Sequence, residues 1–128
     1  MNSKISEGIQ VTAEPFYQPD QSNPLNQEFM FAYRITIENK NSFPVKLLRR
    51  HWHIFDSNGV SREVEGEGVV GVQPVILPSA SYQYISGCSL NTEIGKMQGS
   101  YLLENLHNKQ TFQVTIPSFN MIAPIKLN

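Results

Sequence analysis

Phe29-Met30-Phe31-Ala32-Tyr33-Arg34-Ile35-Thr36-Ile37-Glu38 decides the fold class. Phe29, Phe31, Tyr33, Ile35 and Ile37 fall on alternate positions, with Arg34, Thr36 and Glu38 between them. A period of two puts the large apolar side chains on one face of a strand, whereas a helix would scatter them around its circumference. The flanks agree. Ile9, Val11 and Ala13 alternate with Gln10, Thr12 and Glu14 as an earlier strand that Pro15 and Pro19 end, and residues 20–27 are loop chemistry throughout.

On the other side, Asn39-Lys40-Asn41-Ser42 turns the chain, and Val45 to Phe55 returns as a strand whose arginines and histidines break simple alternation, so a bulge is expected there. Asp56-Ser57-Asn58-Gly59 is a hairpin turn, since Asn-Gly supplies the positive φ angles a tight turn needs, and Val60 to Glu65 pairs back. Gln73 to Pro78 is apolar but carries two prolines, which suits an edge or a crossing segment. Tyr82, Tyr84 and Ser86 alternate again, and Met97–Glu104 with Phe112–Ile116 makes a last hairpin around His107-Asn108-Lys109. Pro117 is expected to end it, leaving a tail to residue 128 that packs back on the body.

No segment carries apolar residues at helical spacing over three turns. The expectation is one all-β domain over residues 1–128, an immunoglobulin-like or fibronectin type III-like β-sandwich of about seven strands with a polar leader over residues 1–8. Trp52, on the third strand, is expected to pack across both sheets.

Composition narrows function. A chain of 128 residues with 40% hydrophobic and 16% charged residues can build a two-layer core without staples. Ten Lys and Arg against eleven Asp and Glu leave a net charge of −1, which gives no global field to draw in nucleic acid or an anionic membrane. Cys88 is the only cysteine, so no intramolecular disulfide framework exists. There is no apolar run near the roughly 20 residues of a membrane helix, and the opening residues lack the apolar core of a secretory signal. A cytoplasmic protein is expected.

The unusual residues cluster between Arg49 and Gly71. Gly66-Glu67-Gly68-Val69-Val70-Gly71 has the G-x-G-x-x-G spacing of a dinucleotide loop, but Pro74 and Pro78 stand where the phosphate-binding helix would begin, and no acidic residue follows at the ribose distance. The glycines are read as a sharp turn whose Val69 and Val70 meet a partner. His51 and His53, two apart on a strand, are candidate transition-metal ligands, with Glu63, Glu65 or Glu67 as a third. Two ligands alone make no site, and a solvated face of mixed charge is the expected state. Cys88 has no local signature of a nucleophile, and Arg49-Arg50 beside Trp52 is too short a basic run for nucleic acid.

Leu47-Leu48-x-Arg50-His51-Trp52, Val64 to Gly71 with Gln73-Pro74, Tyr82-x-Tyr84-x-Ser86-Gly87, Met97-x-Gly99-x-Tyr101 and Ile116-Pro117-x-Phe119 together resemble the bacterial ApaG family, from about Ile9 to Pro124. The resemblance implies a fibronectin type III-like sandwich, often dimeric. It further implies a genomic link to diadenosine tetraphosphate hydrolase, a part in magnesium and cobalt efflux, and kinship with modules of F-box proteins and a polymerase-delta-interacting protein. It carries over no catalytic residue, and it does not demand His53. The reading is a non-enzymatic binding module without cofactor, contacting an unknown protein partner through Arg50, His51, Gly66, Glu67, Gly68, Val69, Val70 and Gly71, with a homodimer as a side expectation. The alternative is a sensor of divalent cations or nucleotide polyphosphates.

Overall fold

The computed structural model describes residues 2–124. Its strands are β1 (Asn2–Ser6), β2 (Ile9–Tyr17), β3 (Phe29–Asn39), β4 (Val45–Asp56), β5 (Ser61–Glu67), β6 (Val75–Ile76), β7 (Ser81–Leu90), β8 (Ile94–Asn105) and β9 (Thr111–Ile122). One sheet runs β1-β2-β3-β7 and the other β5-β4-β8-β9, with β6 also on β4, and every pairing is antiparallel. The two face each other as a sandwich of the fibronectin type III and immunoglobulin kind. Among the described residues there is no α-helix, and none is long and apolar enough to cross a membrane.

Alternation builds the core. Ile9, Val11 and Ala13 on β2 and Phe31, Tyr33, Ile35 and Ile37 on β3 are buried, facing Val45, Leu47, Trp52, Ile54, Tyr101, Leu103, Val114 and Ile116 of the second sheet. Trp52 bridges the layers. Its ring meets Tyr33 of the first sheet at 5.4 Å, and Tyr101 and Phe119 of its own sheet at 6.5 and 6.0 Å, all edge-on, the geometry that aromatic quadrupoles favour. Asn39 is fully buried and satisfied: its amide donates to the carbonyls of Phe43 and Ile76, and its oxygen accepts from the Asn41 N–H.

Three expectations change. Nine strands replace about seven, because β6 is only two residues long and because the polar leader is itself a strand. Asn2–Ser6 has no apolar face to signal it. It is held by its ladder to β2 and by bonds to β9, Asn2 Nδ2 donating to the Ser118 carbonyl and the Thr115 N–H to Ser6 Oγ. Pro117 does not end the last strand either. The β8–β9 register shifts between Met97 and Gly99, leaving Pro117 and Ser118 opposite Gln98, and a bulge spares proline the ladder bond it cannot donate. Phe119, Met121 and Ala123 therefore continue into the core. The end of the expected tail, residues 125–128, lies outside the described residues.

Two predictions follow from the core. Gly99 pairs with Trp52, and a Cβ there would lie 2.1 Å from the His51 carbonyl oxygen, a backbone atom. Gly99→Ala must push β4 and β8 apart, and a loss of about 1–3 kcal/mol is expected in urea denaturation. The hydroxyls of Tyr84 and Tyr101 bond one another between the sheets, and burial pushes both tyrosines above their ordinary pKa. The unfolded chain then releases protons above about pH 10 that the folded protein keeps. The stability these tyrosines confer is full below that pH and declines as pH rises through the folded values. The urea midpoint should fall above pH 10, less steeply in the Tyr84→Phe, Tyr101→Phe double variant.

Candidate functional site

The site begins with an irregularity in β4. Leu47 pairs with Leu103 and Arg49 with Leu102, so Leu48 is an extra residue without a partner on β8. Before it, Val45 and Leu47 point inward; after it, Trp52 and Ile54 do. The inserted residue moves the inward positions from odd to even numbers. Arg49, His51 and His53 are consequently turned outward, and Arg50 inward.

On the outer face β5 places a glutamate opposite each of these three residues, since Arg49 pairs with Glu67, His51 with Glu65 and His53 with Glu63. The histidine pairs are close. His51 Nδ1 is 3.4 Å from Glu65 Oε1, His51 Nε2 is 3.6 Å from Glu63 Oε2, and His53 Nδ1 is 3.3 Å from Glu63 Oε1. The two imidazole centroids are 4.5 Å apart. His51 Nε2 is shielded from solvent and has no hydrogen-bond partner.

On the inner face Arg50 lies over Gly66. Its Nη1 donates to the carbonyls of Glu67 and Gly68 at 3.0 Å each. A Cβ on Gly66 would come within 2.8 Å of that guanidinium, so this glycine makes room for Arg50. The bulge fastens the loop as well, for the Leu48 carbonyl accepts from the Gly68 N–H at 2.8 Å and from Gln73 Nε2 at 2.9 Å. Gly68 has φ +62°, and a Cβ there would strike the Val72 carbonyl oxygen at 2.0 Å.

Val69 and Val72 then exchange two backbone bonds, of 2.8 and 3.1 Å, around Val70 and Gly71 at φ +47° and +79°. This is a two-residue turn of the I′ class. The G-x-G-x-x-G stretch is thus strand, staple and tight turn. The amides of Gly68 and Val69 are already bonded and no helix follows, so the stretch has neither feature that would cradle a pyrophosphate.

The structure divides the eight residues expected to share one surface. Arg50 points inward and is engaged by the loop it holds, whereas His51 points outward. Val69 is fully buried in the core and offers nothing to a partner, which corrects its expected contact role. Val70, one residue on, is 61% exposed. Exposed with it are Val72, Val75 and Leu77; the sequence marked residues 73–78 as an edge or crossing segment without assigning them to a contact surface. Cys88 is free and lies inside the sandwich, its Sγ 3.6 Å from Arg62 Nη2, and burial pushes its thiol pKa up. The β4 strand separates it from His51 and His53, so these histidines cannot serve it as a base.

Comparison with known proteins agrees with this architecture. The ApaG domain family model matches residues 19–105. The chain is similar to Protein ApaG of Brucella suis biovar 1, at 47% identity over 97% of this chain and 95% of that protein, and to Protein ApaG of Agrobacterium fabrum, at 44% over the same shares. Among solved structures, it is similar to a putative ApaA protein from Bordetella pertussis, with a TM-score of 0.88 and 40% identity, over 92% of this chain and 95% of that one. A family model matching well over half of the chain, together with relatives of this identity along nearly its whole length, shows that the chain belongs to the ApaG domain family.

Proposed function

We propose that the protein is a non-enzymatic cytoplasmic binding module whose partner is another protein presenting an aliphatic surface. The contact region is the turn and edge from Val70 to Leu77. Val70 carries this reading. A β-branched residue in the left-handed region is strained by about 1–3 kcal/mol, and such outliers persist where the surrounding structure overdetermines them and cluster at functional sites. Glu7, Gln27, Ser79 and Lys109 also have positive φ, but none is β-branched. At the tip of an I′ turn asparagine or glycine would be the relaxed choice. Instead the turn carries an exposed valine, with Val72, Val75 and Leu77 exposed on the following segment. Arg50, Gly66 and Gly68 contribute by holding the turn rigid, which lowers the entropy cost of binding.

Nucleic acid fits this region poorly. Arg49 faces Glu67, Arg50 is bonded to carbonyls, and Arg62 donates to the Ser89 carbonyl. A nucleotide polyphosphate finds no free cradle at Gly68 and Val69. A second copy of the chain is the rival occupant, because β5 is a sheet edge with no strand on its far side among the described residues.

Val70→Asn tests the proposal directly. Asparagine tolerates the left-handed turn, so this variant should melt at or above the parent temperature, with a gain of about 1 kcal/mol. It should nevertheless lose the partner that the parent captures by crosslinking in lysate, as should Leu77→Ser. Unchanged capture by both folded variants would refute the surface. Sedimentation of the purified parent separates the occupants: a dimer abolished by Val70→Asn identifies a second copy in place of a different protein.

A further inference from the structure

We propose that the outer face of the β4–β5 pair holds a transition-metal ion of the zinc class, ligated by His51, His53 and Glu63. The inference is independent of the surface at Val70. Three observations carry it. One nitrogen from each imidazole and a Glu63 carboxylate oxygen all lie within 4.8 Å of one another. The Glu63 oxygens are 3.6 Å from His51 Nε2 and 3.3 Å from His53 Nδ1. Metal–ligand bonds of about 2.0–2.2 Å at tetrahedral angles set neighbouring ligand atoms roughly 3.3–3.5 Å apart, so each Glu63 oxygen stands near coordination spacing from one ring, Oε1 from His53 and Oε2 from His51.

The second observation is His51 Nε2, which is shielded from solvent and unpartnered. A sequestered nitrogen without a bond is costly unless something fills its lone-pair direction. The third is Glu65. It lies 3.4 Å from Nδ1 of the same ring, on the side away from Glu63. With an ion bound at Nε2 the ring would keep its proton on Nδ1, and Glu65 stands beside that atom as the outer-shell acceptor that metal-binding histidines use. Glu65 is thus a positioning residue and not a ligand.

Two imidazoles and one carboxylate select zinc and its neighbours in the transition series over magnesium, which demands six oxygens. Three protein ligands leave a fourth position for water. His53 also lines an open groove of about 760 Å³ with Lys4, Gln98, Ser100 and Thr115, which gives an ion and that water a path from solvent.

The test is calorimetric titration of the full chain, free of any affinity tag and stripped with chelator, using zinc chloride. One equivalent should bind, and cobalt chloride in its place should give the visible bands of a four-coordinate ion. His53→Ala and Glu63→Gln, both at exposed or half-exposed positions, should keep the parent melting curve in the absence of metal and weaken zinc at least tenfold. Glu65→Gln should retain the cobalt spectrum while weakening zinc by about 10- to 100-fold, a pattern that loss of a ligand would not give. Absence of stoichiometric zinc binding would overturn the proposal. So would equal affinity in His53→Ala and Glu63→Gln, or displacement of zinc by magnesium at equal concentration.

Discussion

The extra residue at Leu48 sets the direction of everything that follows it on β4. A strand sends successive side chains to opposite faces, so one inserted residue exchanges the faces of all later positions. Val45 and Leu47 enter the core on odd numbers, Trp52 and Ile54 on even ones. Without the insertion His51 and His53 would be driven inward and Trp52 into water, an arrangement no sandwich could keep. The same bulge frees the Leu48 carbonyl to receive Gly68 and Gln73. One irregularity therefore aims the histidines, seats the tryptophan and anchors the loop.

The two faces of β4 solve different electrostatic problems. Outside, Arg49, His51 and His53 stand opposite Glu67, Glu65 and Glu63, where water screens whatever charge is unbalanced. Inside, Arg50 is half-buried. It is placed at the margin of the core beside the tyrosines, and its guanidinium is satisfied by two loop carbonyls. A charged group so bonded holds a loop more firmly than an aliphatic one would, because breaking its bonds leaves a partly desolvated cation unpaired.

The three glycines illustrate how one spacing serves unrelated physics. In a dinucleotide site the first serves the tight turn, the second the approach to the pyrophosphate and the third close helix packing. Here Gly66 clears space for Arg50, Gly68 avoids the Val72 carbonyl, and Gly71 supplies the second positive φ of a tight turn. Val70 stands among them in a conformation that suits glycine better. The strain is tolerated because two backbone bonds between Val69 and Val72 and the burial of Val69 overdetermine the turn.

The amino-acid sequence alone determined the sheet-forming segments and the fold class, because a period of two in β2, β3 and β9 and turn chemistry at Asn58-Gly59 are local properties of the chain. The family was legible too, in the combination of motifs around Trp52 and the glycines. Segments without an apolar period, β1 above all, were not legible, since backbone pairing and a few polar side-chain bonds hold them in place of a buried face. Pro117 misled because a bulge in its own strand, where Pro117 and Ser118 together oppose Gln98, spares it the ladder bond that proline cannot donate. For the candidate site, sequence supplied the residue types, and His51, His53 and the alternating glutamates could be paired on paper. Only the tertiary structure decided which faced outward, that Glu63 lies between both imidazoles, that Arg50 turns in, and that Val69 is core while Val70 is surface. Those outcomes depend on the parity of one strand after a bulge and on contacts between segments distant in the chain, and neither is encoded by nearest neighbours.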